Sequence, residues 1–216
     1  EDLESLETSC LIVEPTMGVW PKDAPDEIEN ITIRYEKGYP VEINGKAVTP
    51  FEAMTLANEI GGRNGVWMKN ALENRIIGTK SRGVYEAPGM EVLNHGLQQV
   101  LQNTLDRRAT ALYSSLGQLI SDQIYDGRYF DTATKAAQAG IDKLTESASA
   151  VVSLGLYKGN IFYNSLTECE ATLYNEADSS MEASDGLNPE SSQGYADILC
   201  VEACALAKAG QFKGDS

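Results

Sequence analysis

Glu73-Asn74-Arg75, followed a few residues later by Lys80-Ser81-Arg82-Gly83-Val84-Tyr85-Glu86, brings several chemically able side chains into one short stretch. A carboxylate such as Glu73 suits the ammonium of an amino acid. Tyr85 offers a directed hydroxyl, and the nearby guanidinium groups suit a carboxylate or phosphate. Together these are the chemistries that hold an amino-acid zwitterion. The same residues fit a plainer role equally well or slightly better, with Glu73 and Arg75 as ion-pair partners and Tyr85 as a half-buried packing residue.

Other constellations fail on spacing. Gly78-Thr79-Lys80-Ser81 resembles the end of a phosphate-binding loop, but that motif needs glycine directly before the lysine and another five residues earlier. Ser81 has no nucleophile elbow around it. His95 is the only histidine and has no partner pair of Cys or His, so a surface or capping role is expected of it. Cys200 and Cys204 stand one helical turn apart and, lacking further ligands, are expected to pack in a core. No metal site is expected.

The charge around the candidate residues is unusual for this chain. Its 216 residues carry 17 basic and 32 acidic side chains, a net charge of -15. Residues 1–30 hold nine acids and one base, and residues 146–216 eleven acids and three bases, so each end is at -8. Residues 61–90 reverse the sign: Arg63, Lys69, Arg75, Lys80 and Arg82 face only Glu73 and Glu86, a local +3 rich in glycine. Local basicity of this kind suits an anionic or zwitterionic ligand as well as it suits a solvated surface. An acidic total argues against binding nucleic acid through its phosphates. No run approaches the ~20 apolar residues of a membrane-spanning helix, and the acidic start is unlike a secretion signal. A soluble, cytoplasmic protein with four reduced cysteines is the expectation.

The elements that must position these residues follow from periodicity. Residues to Asn30, with Pro15, Pro21 and Pro25, read as an extended arm, and something is expected to precede them. Ile31 to Tyr35 and Val41 to Ile43 read as strands joined by a turn at Lys37-Gly38, with a second turn at Asn44-Gly45. Thr49, Pro50 and Glu52 form a capping box that predicts a helix ending at Gly61-Gly62. Leu93, Leu97, Val100 and Leu101 fall at helical spacing, as do Leu112, Leu116, Leu119, Ile120 and Ile124, each stripe serving as core or subunit contact. A further helix is predicted over 133–146, strands at 151–157 and 161–163, a loop at 178–194 and a helix over 196–209. Strands and helices are clustered rather than alternating, which indicates an α+β fold.

The stretch Leu72-Glu73-Asn74-Arg75-Ile76-Ile77-Gly78-Thr79-Lys80-Ser81-Arg82-Gly83-Val84-Tyr85-Glu86-Ala87-Pro88-Gly89 closely resembles the ENR…KSRG-YE-PG signature of argininosuccinate synthases. Ile12 to Val19, Tyr35 to Val41, Gly61 to Val66 and Leu173-Tyr174 are similar to further blocks of that family in the same order. The resemblance implies part of a ligase that joins L-citrulline to L-aspartate with ATP, releasing AMP and pyrophosphate. It places Glu73 and Tyr85 at two citrulline-binding positions, with Arg75, Lys80, Ser81 and Arg82 as possible supports.

The family's SGGxDT nucleotide loop has no counterpart in residues 1–216. ATP, with Mg, is therefore expected to be held mainly by a domain absent from this chain. On that reading residues 1–30 are an interdomain arm and 31–216 the synthetase and multimerisation domain of a homotetramer. That domain is divided into a hairpin and capped helix (31–60), a glycine-rich substrate loop (61–90), helices (91–146), and strands, loop and terminal helix (147–216). Trp67 stands where the family has glycine and Asn70 where an acid is usual; compensated change in a peripheral turn is the favoured reading. The alternative function is a non-catalytic oligomerisation domain.

Overall fold

The computed structural model describes residues 3–179 and 190–211. They fall into two compact units, residues 1–173 and 174–216. The first contains, in order, β1 (Glu29–Glu36), β2 (Tyr39–Ile43), β3 (Lys46–Ala47), α1 (Pro50–Arg63), β4 (Met68–Asn74), β5 (Lys80–Glu86), α2 (Pro88–Thr104), α3 (Arg107–Tyr125), α4 (Thr132–Leu144), β6 (Ala150–Tyr157) and β7 (Asn160–Thr167). The second contains α5 (Glu176–Ser179) and α6 (Ser191–Lys208). This is an α+β fold.

One antiparallel sheet has the order β3-β2-β1-β6-β7. Its turns are set by residues that tolerate a left-handed backbone: Lys37-Gly38, Asn44-Gly45 and Lys158-Gly159 all have positive φ, the geometry of tight hairpins whose twist matches their strands. Alternation along β1 turns Ile31, Ile33 and Tyr35 inward, and β6 adds Val152, Leu154 and Leu156. Helices α1 and α2 cover this face with Ala53, Ala57, Ile60, Val92, Val100 and Leu101. The buried Tyr35 hydroxyl donates to the Leu93 carbonyl at 2.7 Å, so the core keeps no unmet donor there.

The capping box at the start of α1 is formed in both directions: Thr49 Oγ1 accepts from the Glu52 amide at 3.3 Å, and Glu52 Oε2 accepts from the Thr49 amide at 2.8 Å. Its end differs from the sequence expectation. The helix runs through Gly61-Gly62 to Arg63, because these glycines serve close approach rather than termination. A Cβ on Gly62 would lie within 3.0 Å of the Met17 carbonyl oxygen, and one on Gly61 would crowd Pro88.

Two further expectations are corrected. The window 61–90 is not one glycine-rich loop: it holds the end of α1, the start of α2 and between them a hairpin, in which β4 and β5 pair in register from Met68–Glu86 to Asn74–Lys80. Only 75–79 form the tip, closed by the Gly78 amide donating to the Arg75 carbonyl at 2.9 Å. Nor are residues 3–28 an extended arm. Trp20 and Ala24 are buried, the Trp20 indole donates to the Val13 carbonyl at 2.9 Å, and Lys158 donates to the Ala24 carbonyl at 2.6 Å.

The α2 stripe faces the core. The α3 stripe does not: no residue of α3 is fully buried, and Leu112, Leu119 and Ile124 are exposed. Only Ala109 and Tyr113, near its start, touch the core. The predicted loop at 178–194 falls largely on residues outside those described, and 191–194 are helical. Cys200 and Cys204 are exposed on α6 rather than packed, and none of the four cysteines is in a disulfide.

Candidate functional site

The β4–β5 hairpin sorts the candidate residues by face. Side chains alternate along a strand and cross-strand partners share a side, so Glu73 with Ser81, Ala71 with Gly83, and Lys69 with Tyr85 lie on one face. Asn74 with Lys80, Leu72 with Arg82, and Asn70 with Val84 lie on the other.

On the first face the residues converge. The Tyr85 hydroxyl donates to Glu73 Oε1 at 2.7 Å and the Ser81 hydroxyl donates to the same oxygen at 3.2 Å. The Arg75 guanidinium lies 3.6 Å from it. Tyr85 reaches Glu73 diagonally because Gly83 lies between them; a Cβ there would sit 3.3 Å from the ring. The Tyr85 hydrogen bond, followed by those of Ser81 and the charge of Arg75, holds the Glu73 carboxyl below its ordinary value despite some opposing desolvation. The same hydrogen bond raises Tyr85, which keeps its hydroxyl proton as a donor. Both hydrogen bonds and the shortest ion-pair distance fall on Oε1, and among the described residues Oε2 accepts no hydrogen bond from the protein.

Lys80 and Arg82, by contrast, are separated from this cluster. Lys80 donates to Asn74 Oδ1 at 2.6 Å. Arg82 donates to Asn70 Oδ1 at 2.8 Å and to the Ser5 and Thr8 carbonyls at 2.7 and 2.8 Å, binding the N-terminal segment to the back of the hairpin. Of the six residues singled out, Glu73, Tyr85, Ser81 and Arg75 come together, and Lys80 and Arg82 do not.

The structure places both residues at which the resemblance expects another type, Trp67 and Asn70. Trp67 has φ +54, a left-handed conformation that glycine takes freely and that costs an L-residue roughly 1–2 kcal/mol. Its indole packs on the core and lies under the Lys69 ammonium, 5.5 Å from the ring centroid. It borders a hollow shared with Glu91 and the half-buried His95 at the base of the hairpin, away from Glu73. Asn70 faces Arg82 on the back, where an acid would form an ion pair.

Two residues outside the candidate set position the hairpin. Glu86, beside Tyr85, accepts from the Thr16 amide (2.7 Å), the Thr16 hydroxyl (2.9 Å) and the Met17 amide (2.7 Å). At the other end, Tyr125 of α3 donates to the Asn74 carbonyl at 2.9 Å. Neither was marked by local sequence, because each partner is about 50 to 70 residues away. Burial works to raise the Glu86 carboxyl, but its backbone donors outweigh this and hold it below 4.5. Its contribution is therefore complete above that value and lost as pH falls through the lowered one. Glu86→Gln, which turns an NH2 toward these donors, is expected to destabilise the domain by about 1–2 kcal/mol at pH 7. Urea titrations at pH 7 and in acid check this: the difference from wild type should shrink as the pH drops.

Among the described residues no three His, Cys, Asp or Glu side chains gather as a metal site, and no helix is long and apolar enough to cross a membrane.

The family model of the argininosuccinate synthase C-terminal domain matches residues 5–206. Argininosuccinate synthase of Rhodopirellula baltica is 39% identical over 194 residues, covering 89% of this chain and 48% of that protein. The chloroplastic enzyme of Arabidopsis thaliana is 37% identical, over 83% of this chain and 36% of its own length. That of Cronobacter sakazakii is 42% identical over 66% of this chain and 36% of its own. The chain thus spans about half or less of these curated relatives. With this match along nearly its whole length, the chain belongs to the argininosuccinate synthase family, in which it corresponds to the C-terminal domain.

Proposed function

We propose that this chain supplies the citrulline-holding part of a ligase that condenses L-citrulline with L-aspartate, using ATP and giving argininosuccinate, AMP and pyrophosphate. The observation that carries the reading is Glu73: three neighbours fix one carboxylate oxygen and the other is left to receive an ammonium group. Tyr85 holds that carboxylate in place and offers its ring edge to the same ligand. Arg75, half-exposed beside it, suits the ligand's carboxylate.

In this reading ATP activates the ureido oxygen of citrulline as an adenylate, and the aspartate amine then displaces AMP. Neither Glu73 nor Tyr85 transfers a proton; both orient, and orientation alone supplies a large part of a rate enhancement. ATP, with Mg, and aspartate are assigned mainly to a nucleotide-binding part of the enzyme, since residues 1–216 carry no SGGxDT loop. The exposed apolar stripe of α3 supports assembly, and a homotetramer is proposed for the complete enzyme. Its free cysteines suit the cytoplasm.

Product formation from citrulline, aspartate and ATP tests the division of labour. The complete enzyme is expected to form argininosuccinate and this chain alone none. Product from a clean preparation of the chain alone overturns the proposed split, and its absence from the complete enzyme overturns the activity.

A further inference from the structure

We infer that Tyr125 is a positioning residue for Glu73, acting through the tip of the β4–β5 hairpin; the inference rests on the citrulline reading of that site. The hairpin forms a two-stranded sheet of its own, and such a pair is marginally stable without outside support. Two ties secure β5 and its base: Glu86 with Thr16 and Met17, and Arg82 with the N-terminal segment. Neither holds the far end of β4, where Glu73 lies.

Tyr125 supplies the tie at that end. It is the last residue of α3, and its hydroxyl donates to the carbonyl of Asn74, the residue directly after Glu73 and the last of β4. Its ring shares a hollow of about 530 Å³ with Arg75, Ile76, Ile77, Thr79 and Ser81, so it also borders two of the groups that surround the Glu73 carboxylate. The peptide carbonyl that Tyr125 grips belongs to the turn that also aims Arg75, whose amide donates to the Thr79 carbonyl at 2.7 Å. Freed of the hydroxyl, the end of β4 keeps only its pairing with β5 and its own turn, and the backbone that aims Glu73 and Arg75 loses its tie to the rest of the domain.

The effect should be selective, because the tie bears on the citrulline groups and on nothing assigned to ATP or aspartate. In the complete enzyme Tyr125→Phe is expected to raise the citrulline KM about 3- to 10-fold, the range of one net hydrogen bond. The aspartate and ATP KM values, the kcat at saturating citrulline and the melting temperature should stay near wild type. Glu73→Gln alone should raise the citrulline KM, and the double variant should be no weaker than Glu73→Gln, since Tyr125 acts through Glu73. An unchanged KM for Tyr125→Phe beside a raised one for Glu73→Gln overturns the inference and leaves the citrulline reading standing. So does a fully additive double variant, or a loss spread over all three substrates. An unchanged KM for Glu73→Gln overturns the citrulline reading itself, and the inference with it.

Discussion

Glu73→Ala in the complete enzyme is expected to weaken citrulline binding roughly 10- to 150-fold, without changing the size of the assembly. The substitution removes Oε2 and also the acceptor that holds the Tyr85 hydroxyl and Ser81. Tyr85, 42% exposed, then turns to water, so the orienting group is lost together with the charge. Tyr85→Phe should cost less, because Ser81 and Arg75 still hold the carboxylate. Titration calorimetry with citrulline, paired with sedimentation, reads both quantities. Intact citrulline affinity with a broken assembly would favour the oligomerisation reading instead. The pH dependence follows from the depressed Glu73 carboxyl: the binding form is the ionised one, so affinity should persist below the ordinary carboxylate value of 4.5 and fall only as pH passes through the lowered one.

Gly62→Ala should be destabilising although it replaces a glycine within a helix. Helix propensity alone favours alanine by about 1 kcal/mol in the middle of a helix. Here the added Cβ would meet the Met17 carbonyl and the Gly18 Cα, both backbone, which cannot swing aside as a side chain does. Overpacking of this kind costs about 1–3 kcal/mol or more, enough to offset the propensity gain and reverse the sign. The strain falls on Met17 and Gly18, and Met17 is held by Glu86 next to Tyr85, so the hairpin base should loosen as well. Gly117→Ala is the control. It lies within α3 with nothing within 4 Å of the added methyl, and should stabilise by about 0.5–1 kcal/mol. Chemical denaturation of the three proteins decides the matter: equal stabilisation at both sites would mean that Gly62 is an ordinary helix glycine.

The glycine pair shows how local signals mislead. Gly61-Gly62 reads as a helix stop when only neighbours in sequence are considered, since glycine favours the C-terminal cap. The alternative use, letting another backbone come close, depends on Met17, which is far away in the chain. The 61–90 window reads as a loop for a related reason. Its glycines and charges mask a pairing that is fixed by register and by Gly78 at the tip. The α3 stripe has the period of a buried helix, but period says only that one face is apolar, not what covers it.

Local chemistry did determine the capped start of α1, the tight turns at Lys37-Gly38 and Asn44-Gly45, the α2 stripe and the α+β class, because each depends on residues within a few positions of one another. The order of residues from Leu72 to Gly89 was likewise enough to point to the family. Tertiary structure decided which of those groups act together. Strand alternation put Glu73, Ser81 and Tyr85 on one face and sent Lys80 and Arg82 to the other, and Glu86 and Tyr125 then fixed the two ends from distant parts of the chain. A sequence orders side chains along a line, and only pairing in space turns that order into a surface.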